Sequence, residues 1–78
     1  MIARLLLWNL FDSKTTIAEL REQLPRLEPP SAWLWNDAGE RFGLVAFGEL
    51  PAELEQVRDL IGADPELAAE FDVLEGGG

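Results

Sequence analysis

Residues Met1 to Phe11 are apolar on both parities of an extended chain, with Ala3, Leu5, Leu7 and Phe11 on one side and Ile2, Leu6, Trp8 and Leu10 on the other. A strand with one wet face alternates apolar and polar residues, so a strand without a polar parity has to be covered on both faces. Arg41 to Gly48 behaves the same way: Phe42, Leu44 and Ala46 oppose Gly43, Val45 and Phe47. A chain of 78 residues holds too few helical segments to cover both sides of such a sheet. The uncovered side is expected to present a patch built from residues such as Leu6, Trp8, Phe42 and Leu44, larger than a monomer tolerates, and a second copy of the chain is the economical cover. A core of this size is marginal alone and there is no cysteine to staple it, which also favours a homodimer.

The segments between the strands carry helix signals. Thr16-Ile17-Ala18-Glu19 has the form of a capping box, with the threonine oxygen taking a free amide and Glu19 reaching back. Ile17, Leu20, Leu24 and Leu27 recur at helical spacing, and Pro25 stops the regular helix near Leu24. Ser31 to Asn36 alternates as a strand, and Asn36-Asp37-Ala38-Gly39 supplies turn residues that join it to Arg41 to Gly48 as a hairpin. Pro51 to Ile61 reads as a second helix with Gly62 as its left-handed cap. Asp64-Pro65-Glu66 repeats the start signal, which predicts one helical turn over Pro65 to Ala69, followed by a short strand from Phe71 to Leu74. The order is βαββαβ, an α+β ferredoxin-like split sandwich: a four-stranded antiparallel sheet with two helices on one face, dimerising through the sheet. A single domain is expected over residues 1–75, with Gly76-Gly77-Gly78 as a flexible tail.

Composition narrows the chemistry. With 15 acidic and 6 basic residues the formal net charge is −9, which repels phosphate backbones and anionic lipid, so neither nucleic acid nor a membrane is expected as a partner. The absence of histidine removes the usual general base and the commonest metal ligand, and no metal or cofactor is expected. The glutamate pairs Glu53/Glu55 and Glu66/Glu70 read as solvated faces. No apolar stretch is long enough for an export signal or a membrane span, so a cytoplasmic protein is expected.

Three groups of residues are candidates for function. Asn9 shares the parity of Leu5 and Leu7, and its amide either orients a small substrate or bonds to nearby backbone at the strand end. Trp8, Trp33 and Trp35 either hold a flat organic ring or supply core and interface mass. Arg4 and Arg41 are candidates for neutralising an anionic ligand or for pairing with a nearby carboxylate. The terminal glycines resemble the tail of sulfur-carrier and ubiquitin-like proteins, although those begin with a strand hairpin and this chain does not.

Two further resemblances run through the strands. Leu5 to Leu10 with Arg41 to Phe47 resembles the paired strands of an RNA recognition motif, with only Phe42 aromatic among the three stacking positions, the others being Leu6 and Leu44, and Glu40 where that motif places a base. This leaves at most a non-catalytic interaction module without RNA binding, whose acidic second helix would contact a basic partner protein. The broader resemblance rests on Ala32-Trp33-Leu34-Trp35-Asn36-Asp37, Glu40 to Phe47, Leu60-Ile61-Gly62 and Glu70-Phe71-Asp72-Val73. These segments resemble the dimeric α/β-barrel proteins related to antibiotic-biosynthesis monooxygenases, in particular their uncharacterised branch. That resemblance implies facing sheets in a homodimer, a pocket between sheet and helices, and cofactor-independent oxidation of an aromatic substrate. On that basis Asn9 and Trp35 are the expected catalytic residues, with Trp8, Trp33 and Phe42 binding the ligand. The chain is shorter than those relatives between Leu24 and Ser31, and this implies a small pocket.

Overall fold

The computed structural model describes residues 2–11, 13–36, 38 and 40–74; the glycine tail expected at 76–78 lies outside them. The chain runs β1 (Ile2–Asn9), α1 (Ile17–Gln23), β2 (Ala32–Trp35), β3 (Arg41–Phe47), α2 (Glu53–Ile61) and β4 (Leu67–Asp72). The four strands form one antiparallel sheet in the order β2-β3-β1-β4, the α+β ferredoxin-like arrangement that the element order predicts.

Register decides which parity meets the helices. Across β1 and β3, Leu6 pairs with Leu44 and Trp8 with Phe42; across β2 and β3, Trp33 pairs with Leu44 and Trp35 with Phe42. Directly opposed residues share a face, so all of these point the same way. That face is packed against both helices, because Leu6, Trp8, Phe42, Leu44 and Ala46 cluster with Leu20 and Leu24 at α1 and Leu54 and Val57 of α2. The patch expected to be uncovered is therefore the core: Leu6, Trp8, Phe42 and Leu44 are all buried. The open face is the other parity, with Ala3, Leu5 and Leu7 of β1, Ala32 and Leu34 of β2, Gly43, Val45 and Phe47 of β3, and Leu67, Ala69 and Phe71 of β4. At its hairpin end the same parity carries Asn9 opposite Arg41, and the rest of it has no polar side chain. The two-sided apolarity is real, but the sequence pattern alone could not say which parity the helices take.

Helix ends follow local chemistry. The Thr16 hydroxyl accepts from the Glu19 amide at 3.2 Å and caps α1. The Glu19 carboxylate does not reach back as a capping box would; it accepts instead from the buried Thr15 hydroxyl at 3.0 Å. Pro25 ends α1 as expected, with Leu24 as C-cap. Regular α2 starts two residues later than expected, after an Ala52 that offers no capping side chain, and ends at Gly62, whose φ of 79° is a left-handed cap.

The expected helical turn over Pro65 to Ala69 is absent. Glu66 instead donates its amide to the Leu7 carbonyl at 2.7 Å, and Leu67 to Asp72 pair along β1. Without β4 the outer edge of β1 would be an unpaired row of amides and carbonyls, and satisfying that ladder outweighs a local helix-start signal.

Gly43 shows how tightly the middle of the sheet is built. A Cβ there would lie 2.5 Å from Leu7 Cδ2 and 2.7 Å from the Leu6 carbonyl oxygen. The leucine tip can rotate away, but the backbone oxygen cannot. Gly43→Ala is expected to cost about 1–3 kcal/mol, even though alanine suits a strand interior better than glycine. Urea unfolding checks this; an unchanged or raised midpoint would show that β1 and β3 yield to the methyl group.

Candidate functional site

The cleft with the most aromatic lining lies on the helix side of the sheet, where β2 extends past the cover of the helices. Its walls come from the end of α1, the connection through Pro25, Arg26, Leu27, Pro29 and Pro30, and the β2 residues Trp33 and Trp35, with Phe42 at its base. Its volume is about 480 Å³, inside the range of small-molecule sites. The prolines matter here. Pro25 ends the helix, and Pro29 and Pro30 form a tight turn rather than an extended connection, closed by the Ser31 amide donating to the Glu28 carbonyl at 3.0 Å, that leads the chain back into β2.

The three tryptophans take different roles. Trp8 is 1% exposed, and its indole N–H donates to the Ala63 carbonyl at 3.0 Å, tying the turn after α2 to the sheet. Trp33 does the same for the turn after α1, donating to the Pro25 carbonyl at 2.9 Å, and its ring stacks on Phe42 at 5.7 Å between centroids and 27° between planes. Trp35 is 46% exposed, with the Arg21 guanidinium carbon 4.8 Å from its ring centroid. The structure thus gathers Trp33, Trp35 and Phe42 at one cleft and places Trp8 in the core, away from it.

Asn9 is not part of that cleft either. It is exposed at the end of β1, and its side-chain oxygen accepts from the Phe11 amide at 2.9 Å. That is the local backbone bond weighed as one of its two readings, formed because the strand ends there and the chain turns. Asn36 acts likewise in the hairpin: its side-chain oxygen accepts from the Glu40 and Arg41 amides at 3.0 and 3.1 Å. Asp37 and Gly39 of that turn lie outside the described residues.

Of the arginines singled out for a ligand, both have carboxylate neighbours. Arg41 pairs with Glu66 at 2.9 Å, and Arg4 Nε lies 3.3 Å from Glu70, near enough for attraction but without hydrogen-bond geometry. The basic residues at the cleft are Arg21 and Arg26. Sequence reading passed over them because helix periodicity marks only their apolar neighbours Leu20, Leu24 and Leu27, and because nothing local tells that the loop after Pro25 folds back over β2.

The positions matched to RNA stacking also change meaning. Leu6, Phe42 and Leu44 lie under the helices, and a side chain that stacks on a base has to face solvent. Among the described residues, no group of three or more acidic side chains is close enough together to hold a metal ion, and no helix is long and apolar enough to cross a membrane. No family model matches the sequence, and no curated protein matches it significantly.

Proposed function

We propose that this chain is a small aromatic-ligand-binding protein that works as a homodimer, with the cleft beside β2 as the binding site. The observation that carries this reading is the convergence of Trp33, Trp35 and Phe42 on one open cleft of about 480 Å³. An aromatic side chain that serves only as core mass is closed off from solvent, as Trp8 is at 1% exposed. Here Trp35 keeps close to half its surface in solvent beside an unfilled concavity.

The cofactor-independent monooxygenase activity implied by the family resemblance needs Asn9 and Trp35 to act on one substrate. Trp35 lines the cleft and Asn9 does not, so binding is proposed without an assigned catalytic step. A non-catalytic interaction module is the competing class. Its contact would be the outer side of α2, where Glu55 and Asp59 are exposed.

Titration of flat aromatic compounds against the tryptophan fluorescence tests the proposal. Quenching that saturates at or below about 1 mM ligand, and that weakens in Trp35→Leu, is the expected result. Absence of saturable quenching across the panel would shift the assignment to the interaction module. Oxygen uptake with any hit tests the catalytic reading separately.

A further inference from the structure

We infer that the ligand class is an aromatic anion, a flat ring carrying a carboxylate, with Arg21 as its charge anchor. This rests on the reading of the cleft as a ligand site and goes further by giving that ligand a charge. The first observation is how the few cations are distributed. In a chain with 15 acidic residues, Arg4, Arg41 and Arg58 each have a carboxylate within 3.5 Å. Among the described residues Lys14, Arg21 and Arg26 have none, and the two arginines, unlike Lys14, border the cleft, which no acidic side chain lines. A cleft that gathers unpaired cations in a protein of charge −9 is a local reversal of the overall field.

The second observation is how Arg21 is held. Its guanidinium sits against the Trp35 ring at 4.8 Å and, among the described residues, donates no hydrogen bond. A guanidinium held on an indole face is fixed in orientation and partly dehydrated, yet it has N–H donors left for both oxygens of a carboxylate. Arg26 is the weaker candidate, because it also borders the neighbouring depression that contains Glu28, Glu49 and Glu53. The Trp33 indole N–H is already committed to Pro25, so that ring offers a stacking face without a competing donor. A ring between Trp33 and Trp35 would place an attached carboxylate at the Arg21 side of the opening.

Calorimetric titration with naphthalene-2-carboxylate and its neutral partner naphthalene-2-carboxamide tests the charge. The wild-type protein should bind the carboxylate about tenfold more tightly than the amide. Arg21→Gln, an exposed position near the end of α1, should bring the two affinities within about twofold of each other. Added salt should weaken only the carboxylate. Equal binding of both probes by the wild type would overturn the anion assignment while leaving the cleft a ligand site. A preference that survives in the Arg21→Gln, Arg26→Gln double variant would also overturn it. Failure of both probes to bind at millimolar concentration would remove the cleft reading and this inference with it.

Discussion

Truncating Trp8 to alanine is expected to remove about 3–5 kcal/mol of stability, a large part of the roughly 5–15 kcal/mol available to a small domain. The side chain is 1% exposed, pairs with Phe42 across the centre of the sheet, and lies in the cluster that joins both helices to the strands. Removing the indole opens a cavity at that junction and also releases the bond to Ala63 that holds the turn after α2. Trp8→Phe separates these effects. It restores most of the apolar volume, loses the hydrogen bond, and should cost about 1–2 kcal/mol. Because Trp8 does not line the cleft, Trp8→Phe should leave aromatic ligand affinity unchanged, whereas Trp35→Leu should lower affinity with little loss of stability. Urea unfolding and fluorescence titration of the same two proteins check both expectations. A Trp8→Ala midpoint indistinguishable from wild type would refute the central role given to this ring.

The contrast between Trp8, Trp33 and Trp35 shows what the sequence makes legible. Strand periodicity and the turn residues at Asn36 and Gly62 were enough for the element order, because each depends on the chain's own neighbours. The roles of the tryptophans were not legible, because an indole in an apolar segment looks the same whether its N–H reaches Ala63, reaches Pro25 or, as with Trp35, bonds no described residue. Arg21 and Arg26 were missed for the same reason: their value comes from the chain folding back over β2. Around residues 64–70 local signal and tertiary demand conflicted outright, and pairing with β1 won.

The open face of the sheet gives the other large expected effect. Its side chains, Leu5, Leu7, Val45, Phe47 and their neighbours on β2 and β4, form an apolar surface of four strands. Leu34, Leu67 and Phe71 on it are 38, 44 and 55% exposed. A shallow hollow of about 160 Å³ lies toward the hairpin end of this face, bordered by Leu7, Leu34, Gly43, Asn36 and Arg41. Four strands about 4.8 Å apart and four to eight residues long give a flat footprint of roughly 20 by 20 Å per copy, about half the area per partner of a standard stable interface, so side chains that project and interleave have to supply the rest. A second copy is a fitting cover because its own face is equally apolar and two such sheets pack about 10 Å apart with interleaved side chains. The wild-type chain is therefore expected to sediment at micromolar concentration as two copies of 8.7 kDa. Val45 lies at the middle of this face, opposite both Leu5 and Ala32. Val45→Lys would bury an unpaired ammonium in the dimer but leave it in water in a monomer, so it should weaken association by about 100-fold or more while the circular dichroism stays folded. Asp59→Lys, on the outer side of α2, should not affect association. A wild-type protein that is folded and monomeric at micromolar concentration, or a Val45→Lys variant as dimeric as its parent, would rule out pairing through this face.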